Sequence, residues 1–170
     1  MDTGKYTTKY NMNHSRIILV GGAASGKDHM RKLWEDRGFK YAISYTTRPP
    51  REGEVYGEDY FFLTKEDFLK KAKENFWYEY IDFNGWYYGT SNDQFYKDDI
   101  FIMTVSGVSK IKSEDRESSF IIFINTPESV RRSRLEERNM PGDSTERRLV
   151  ADNKDLEGFK DYDITITNKF

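Results

Sequence analysis

The chain has 170 residues, and its 27 Lys and Arg against 29 Asp and Glu give a formal net charge of −2 at pH 7. This balance argues against a nucleic-acid surface or an anionic membrane as the main partner, and the absence of cysteine excludes disulfides, thiolate catalysis and cysteine zinc sites. One domain, 1–170, is expected to bury a full core. No apolar run approaches membrane-spanning length, so we expect a cytoplasmic protein that is a monomer or weak dimer.

The first half of the chain begins with a strand, a glycine-rich turn and a helix. Residues 1–14 are polar and aperiodic, which predicts a flexible arm. An apolar strand is then predicted over Arg16 to Val20 and a helix over Asp28 to Arg37, ended by Gly38. A short strand over Tyr41 to Ser44 follows, and then a loop from Thr46 to Tyr60.

The second half alternates strands and helices. The pattern predicts a helix from Thr64 to about Glu74, then strands Phe76 to Phe83 and Trp86 to Gly89 joined by Asn84-Gly85. A helix is predicted over Asn92 to Lys97, followed by strands Ile100 to Val105 and Phe120 to Ile124. Two helices, from Pro127 to about Arg138 and from Ser144 to about Leu156, flank a predicted break at Asn139 to Asp143, and the last predicted strand is Ile164 to Thr167.

This alternation predicts an α/β fold in which helices flank a parallel sheet, as in P-loop NTPases. We expect 15–45 and 91–170 to form the core. The aromatic-rich stretch within 46–90 breaks the rhythm and predicts a small antiparallel insert. Ligands in such folds bind at the carboxyl ends of the strands, so the insert is placed to hold a second ligand opposite the glycine-rich turn.

The glycine-rich turn predicts a phosphate-binding loop with the sequence Gly21-Gly22-Ala23-Ala24-Ser25-Gly26-Lys27-Asp28. Its glycines let backbone N–H groups turn inward, the helix N-terminus adds partial positive charge, and Lys27 supplies a full charge. ATP is the expected ligand. Asp28 replaces the Ser or Thr that helps hold Mg²⁺ in this pattern. A carboxylate is itself a hard oxygen ligand, so Asp28 is a candidate Mg²⁺ ligand, with a helix-capping role as the alternative.

The loop that follows holds two arginines beside a stiff Pro49-Pro50 element. Arg48 and Arg51 present forked donors at short separation, which suits a phosphate monoester. Hydroxyl groups of Tyr60 and Tyr88 would add donors to the same anion. The alternative is a charged loop that only faces solvent.

These residues carry a resemblance to the guanylate kinase family. Ser44 to Tyr60 matches the family segment Ser-x-Thr-Thr-Arg-x-Pro-Arg-x-Gly-Glu-x-x-Gly-x-Asp-Tyr, and the similarity runs on to Asn168. Further matching positions are Glu79, Phe83, Gly85, Tyr87 to Thr90, Arg134-Leu135-Glu136-x-Arg138 and Arg148-Leu149.

The resemblance implies transfer of a phosphoryl group from ATP to a nucleoside monophosphate, GMP or dGMP, with small molecules as the only partners. Gly21 to Lys27 would bind the ATP phosphates. The acceptor phosphate would be bound by Arg48, Arg51, Tyr60 and Tyr88, and the base would face Ser44, Glu79 and Thr90. A mobile lid around 134–148 would bring Arg134, Arg138 and Arg148 to the transferring group beside Lys27, with Arg147 as the alternative to Arg148.

The chain departs from the family in the strand after the hairpin. Two aspartates are expected there, but Phe101 to Gly107 contains no acid, so Thr104 or Ser106 would replace one of them in base recognition. Asp28 would compensate for the lost carboxylates. Two other functions stay open, namely a related kinase for another deoxynucleotide or a sugar phosphate, and a non-catalytic guanylate-kinase-like binding module. The intact Lys27 argues against the latter.

Overall fold

The protein, described by a computed structural model over residues 16–138 and 144–167, contains two sheets and the helices around them. The strands are β1 (Arg16–Val20), β2 (Tyr45–Thr46), β3 (Phe61–Phe62), β4 (Trp77–Phe83), β5 (Trp86–Ser91), β6 (Ile100–Ile102), β7 (Ser119–Asn125) and β8 (Ile164–Thr167). The helices are α1 (Lys27–Glu35), α2 (Lys65–Lys73), α3 (Asn92–Lys97), α4 (Val105–Val108), α5 (Ser113–Arg116), α6 (Glu128–Arg138) and α7 (Thr145–Leu156).

The central sheet is parallel and has the order β6-β1-β7-β8. Alternate residues of β1 bury themselves on opposite faces: Ile18 and Val20 join one apolar cluster, and Leu19 joins the other together with Ile122. Burial on both faces explains why the strands read as continuous apolar runs. The predicted α/β fold with a parallel sheet is confirmed.

The second sheet has the order β3-β2-β5-β4 and is antiparallel except where β2 meets β3. The predicted hairpin turn joins β4 to β5, and both Asn84 and Gly85 have positive φ, at 60° and 84°. Helix α2 covers this sheet through Phe68, whose ring stacks on Trp77 with centroids 4.2 Å apart. The antiparallel sheet of the predicted fold is therefore present.

Some element bounds predicted from the sequence were wrong. Tyr41 makes only an isolated bridge to Ile100, and the strand lies instead at Tyr45–Thr46, where Thr46 is buried and hydrogen-bonded to the second sheet. The strand beginning at Ile100 ends at Ile102, because Thr104 accepts a hydrogen bond from the Gly107 N–H and starts α4. Neither α4 nor α5 was predicted.

The predicted arm of residues 1–14 and the predicted break at Asn139 to Asp143 lie outside the described residues. No helix in the described parts of the chain is both long and apolar enough to cross a membrane.

Candidate active site

The glycine-rich loop turns from the carboxyl end of β1 into the N-terminus of α1. Ala24 and Gly26 adopt left-handed conformations with φ of 59° and 104°. A Cβ on Gly21 would lie 2.7 Å from the carbonyl oxygen of Ile124, so the loop crosses β7 where only glycine fits. The Thr126 hydroxyl donates to the Ser25 carbonyl oxygen at 2.8 Å and fixes the middle of the loop. The sequence thus forms a tight glycine-rich turn at the N-terminus of α1, a geometry that favours anion binding.

Lys27 folds back over this loop. Its Nζ donates to the carbonyl oxygens of Gly21 at 2.6 Å and Gly22 at 2.7 Å. Burial of the ammonium group lowers the pKa of Lys27, while the carboxylates of Asp152 and Asp28 oppose that shift. Lys27 lines two separate cavities, so a single cation lies between two candidate binding volumes.

The first cavity, of about 410 Å³, lies against the second half of the loop and the start of α1. Its lining brings together Ala24 to His29 with Arg134 and Arg138 of α6. Nη1 of Arg134 donates to the Ala24 carbonyl oxygen at 2.8 Å, which holds α6 against the loop. The volume is therefore polar and rich in cations, as a polyphosphate requires.

The two arginines of the Pro49-Pro50 loop share one carboxylate. Nη2 of Arg48 lies 2.8 Å from Oε1 of Glu54, and Nη1 of Arg51 lies 3.7 Å from the same atom. The Arg51 N–H also donates to Oε2 of Glu54 at 2.7 Å. Burial alone would raise the pKa of the Glu54 carboxyl, but its bonds to Arg48 and the Arg51 amide outweigh burial and lower it. Glu54 therefore aligns both guanidinium groups, a role that sequence reasoning missed although Glu54 lies within the matched segment.

Two tyrosines, Tyr60 and Tyr88, lie between these arginines and the second cavity, which is described below. The Arg48 guanidinium lies 5.3 Å from the ring centroid of Tyr60, and the Tyr60 and Tyr88 rings are 6.2 Å apart. Burial, together with the neighbouring Tyr88, raises the pKa of Tyr60 to about 12. The Tyr60 hydroxyl therefore keeps its proton at neutral pH and can donate a hydrogen bond to an anion.

The second cavity, of about 200 Å³, lies between the first half of the loop, strands β4 and β5, and helix α7. Ser44, Tyr60, Glu79 and Tyr88 line it, so four of the residues predicted to bind an acceptor meet in one place. Thr90 stands behind them and donates from Oγ1 to Oε1 of Glu79 at 2.8 Å. Glu79 is only 7% exposed. Burial raises its pKa to about 7, against the opposing effects of the Thr90 hydroxyl and the Lys110 charge.

Two aspartates of α7 also line the second cavity, and sequence reasoning missed both. Asp155 accepts from the N–H groups of Val105 and Ser106, at 2.9 and 3.2 Å, and from the Ser106 hydroxyl at 2.8 Å. Asp152 accepts from the Ala23 N–H at 2.6 Å. The available signal was helical spacing, because Asp152 falls three residues after the buried Leu149 and so belongs to the inward face of α7.

The neutral residues expected to replace the strand aspartates separate in the structure. Thr104 lines the second cavity, where its Oγ1 accepts from the Gly107 N–H at 3.0 Å. The Ser106 hydroxyl instead donates to Asp155. Of the two candidates, Thr104 is the one that faces the volume in which Glu79 lies.

The sequence model of the family described as "Guanylate kinase" matches residues 13–169. The chain belongs to the guanylate kinase family. It is 35% identical over 162 residues to the guanylate kinase of Bacillus subtilis, covering 89% of this chain and 79% of that protein. It is 32% identical over 163 residues to the guanylate kinase of Wolinella succinogenes, covering 90% and 76%.

The fold agrees with a solved member of the family. The crystal structure of guanylate kinase from Anaplasma phagocytophilum matches with a TM-score of 0.70 at 24% identity, and the match covers 92% of this chain and 78% of that one. The P-loop NTPase-like sheet with its antiparallel addition is therefore a shared architecture.

The arginines predicted for the guanylate kinase lid occupy different places. Arg134 and Arg138 line the first cavity, whereas Arg148, within the described residues, lines neither cavity. Its competitor Arg147 contacts Asn84 of the hairpin turn instead. Two of the predicted lid arginines, Arg134 and Arg138, therefore lie near the glycine-rich loop. Arg147 and Arg148 do not line its cavity.

Asp28, the candidate Mg²⁺ ligand, presents an exposed carboxylate at the first cavity. Its side chain is 74% exposed, lies 3.6 Å from Nε of Arg31, and lines the first cavity beside Lys27. The helix N-cap is Gly26, so Asp28 stands in the first turn of α1. Within 16–138 and 144–167 no group of three or more His, Asp or Glu side chains can hold a metal ion. Mg²⁺ commonly takes only one or two carboxylates together with substrate phosphates and water, so one exposed carboxylate fits.

Proposed function

We propose that this member of the guanylate kinase family transfers the γ-phosphoryl group of ATP to GMP or dGMP, forming ADP and GDP or dGDP. Its family membership and the guanylate kinases it resembles support this reaction. The observation that carries it is the position of Lys27 between a cavity rich in cations and a cavity that contains Glu79. A kinase for another acceptor and a non-catalytic module are not favoured.

On the ATP side, the loop from Gly21 to Gly26 would bind the phosphates through its backbone N–H groups. Lys27 would leave its carbonyl partners and bind the outer phosphates, because two neutral acceptors compete weakly with a polyphosphate. Arg134 and Arg138 would balance the charge that develops on the transferring group, and Arg148 would join them from the lid.

On the acceptor side, the phosphate of GMP would lie against Arg48, Arg51 and the hydroxyls of Tyr60 and Tyr88. Glu79 would accept hydrogen bonds from the N1–H and the amino group of guanine, since an ionised carboxylate offers two acceptor oxygens. Ser44 and Thr90 would complete the base site, Thr90 by holding Oε1 of Glu79. Adenine lacks that pair of donors, so the site would select guanine.

The chemistry needs alignment rather than a general base. A phosphate oxygen of GMP forms a bond to the γ-phosphorus of ATP, and the bond from that phosphorus to the bridging oxygen of the β-phosphate breaks, so ADP leaves. The acceptor is already an anion, and the protein contributes position and positive charge. Closure of the lid would exclude water that otherwise hydrolyses ATP.

Further proposals concern the metal and the domain parts. Asp28 would hold Mg²⁺ together with nucleotide oxygens, and the ion, when bound, would neutralise phosphate charge. Within one domain, 1–170, we assign 46–90 to monophosphate binding, 15–45 and 91–170 to the core, and about 134–148 to the lid. Cytoplasmic location and a monomeric or weakly dimeric state stay predictions.

A coupled assay of ADP release tests the reaction. The purified chain is mixed with ATP, Mg²⁺ and, in turn, GMP, dGMP, AMP, CMP, UMP or a sugar phosphate. We expect kcat/KM to be highest for GMP or dGMP. Turnover with every base alike would contradict the role of Glu79, and ADP release independent of any acceptor would contradict the kinase function.

A further inference from the structure

One backbone N–H of the phosphate loop is bonded to a carboxylate from the far end of the chain. The Ala23 N–H donates to Oδ2 of Asp152 at 2.6 Å, across 129 positions of sequence. Asp152 lies on the inward face of α7 and is buried. A charged acceptor at this distance makes a strong hydrogen bond, so it fixes the direction of the Gly22–Ala23 peptide.

Arg131 of α6 supplies the counter-charge for this carboxylate. Its Nη1 lies 3.0 Å from the same Oδ2 of Asp152, and its Nη2 donates to Oδ1 of Asn153 at 3.0 Å. Arg131 is only 4% exposed. Because a buried charge without a partner is costly, Arg131 requires the Asp152 carboxylate, and the pair joins α6, α7 and the loop.

Gly22 is fitted to this pair. A Cβ added to Gly22 would lie 2.3 Å from Nη1 of Arg131 and 3.0 Å from Oδ2 of Asp152. Its φ is not among the positive values of the chain, so its backbone conformation does not require glycine. The second glycine of the loop therefore makes room for the ion pair.

We propose that Asp152 is a positioning residue for phosphoryl transfer, which holds the Gly22–Ala23 peptide in the shape that receives ATP. The same helix carries Asp155, which holds the N-terminus of α4 at the second cavity. Helix α7 thus sets the phosphate loop relative to the acceptor cavity. Loss of the Asp152 contact therefore acts mainly on ATP use and on kcat, and much less on the KM for GMP.

The test compares Asp152→Ala, Asp152→Asn and Asp152→Glu with Asn153→Ala, by steady-state kinetics in ATP and in GMP and by thermal unfolding. Asn153 is the matched control because it accepts from Arg131 at the same distance as Asp152 and contributes no contact to the loop among the described residues. We expect Asp152→Ala to lower kcat/KM for ATP about tenfold to hundredfold and to change the KM for GMP less than about threefold.

Asp152→Asn keeps an oxygen acceptor for the Ala23 N–H but removes the counter-charge of Arg131, so it should recover part of the kinetic loss and unfold at a lower temperature than the wild type. Asp152→Glu keeps the charge for Arg131 but moves the oxygen by one methylene, so it should fold and still show the loss on the ATP side. This variant decides the matter if Asp152→Ala does not fold. Kinetics of Asp152→Glu equal to those of Asn153→Ala would overturn the proposal. A larger effect on the KM for GMP than on ATP use would also overturn it, because Asp152 would then act on the acceptor.

Discussion

Arg147 on α7 donates two hydrogen bonds to Asn84 at the tip of the hairpin between β4 and β5. Its Nη2 lies 2.8 Å from the Asn84 carbonyl oxygen, and its Nε lies 3.2 Å from Oδ1. Asn84 has a positive φ of 60°, as expected at the first central position of an Asn-Gly hairpin turn. The contact joins the C-terminal part of the proposed lid, at the start of α7, to the proposed monophosphate-binding insert.

Replacing this arginine should slow turnover modestly. We expect Arg147→Ala to lower kcat about two- to fivefold, the range for an exposed charged contact. The reason is that the contact between α7 and the hairpin loses the hydrogen bonds from Arg147 to Asn84. The measurement is kcat at saturating ATP and GMP. Arg132→Ala is the control, since Arg132 makes two ion pairs, with Glu128 and Glu146, and neither reaches the hairpin. If Arg132→Ala lowers kcat as much as Arg147→Ala does, the contact with the hairpin has no specific role in turnover.

The acceptor phosphate site should depend on Arg51. Arg51→Ala should weaken GMP binding by about 1.5–3 kcal/mol, the range for a hydrogen bond to a charged group, and leave ATP affinity within about twofold. Separate titrations of GMP and ATP measure this. The adjacent, exposed Glu52 provides the control Glu52→Ala. A comparable loss of ATP affinity in Arg51→Ala would mean that the loop does not form a distinct acceptor site.

Base selection should depend on the carboxylate of Glu79. Glu79→Gln should lower kcat/KM for GMP about tenfold to hundredfold, because the amide presents a donor where guanine also presents one. The KM for ATP is the internal control and should stay near its original value. If the wild-type protein uses AMP as well as GMP, Glu79 does not recognise the base.

The same residue predicts how GMP binding depends on pH. Since burial raises the pKa of Glu79 to about 7, its carboxyl is neutral below that pH and ionised above it. Only the ionised form accepts both guanine donors, so the KM for GMP should rise as pH falls from 8 to 6. The ionisation of GMP itself contributes equally in Glu79→Gln, which is the reference. The ratio of the two KM values must change across this range for the assignment to hold.

The metal requirement should depend on Asp28. Asp28→Asn should raise the Mg²⁺ concentration for half-maximal rate about three- to tenfold, because a neutral amide oxygen is a weaker ligand for Mg²⁺. Metal-free ATP should bind the variant as well as the wild type or better, since one repulsive charge is removed. Glu35→Gln is the control, because Glu35 also pairs with Arg31 on α1 and lies outside the cavity lining. An unchanged Mg²⁺ dependence would restrict Asp28 to its contact with Arg31.

The sequence predicted the candidate site best where the site residues are close together in the chain. The glycine loop and the segment from Ser44 to Tyr60 are local patterns. In the structure they form a tight turn at the start of α1 and a loop with two arginines at one carboxylate. The parallel sheet followed from the apolar runs. The prediction of a strand at Tyr41 to Ser44 was wrong because strand formation depends on hydrogen-bond partners that are distant in the sequence. Thr46, for example, is bonded to Tyr87, which lies 41 positions away.

Helical spacing could have placed Asp152 on the inward face of α7, but its partner could not be predicted from the sequence. A polar residue on the inward face of an amphipathic helix looks like an interruption of the pattern, and nothing adjacent to Asp152 names Ala23 as its partner. Glu54 was missed because its neighbours supply the obvious charges. Both residues hold other site residues in place, and such supporting contacts are formed by the tertiary fold rather than by local sequence.

The hydrogen bonds that fix the glycine loop also have a consequence for synthesis of the chain, because their partners are made after the loop. Residues 21–27 are synthesised long before their partners, because Ser25 is bonded to Thr126 and Ala23 to Asp152, at separations of 101 and 129 positions. We therefore expect a nascent chain to hold the loop without these two contacts until α7 has left the exit tunnel. A chain that stops before α7 should then bind ATP more weakly than one that includes it.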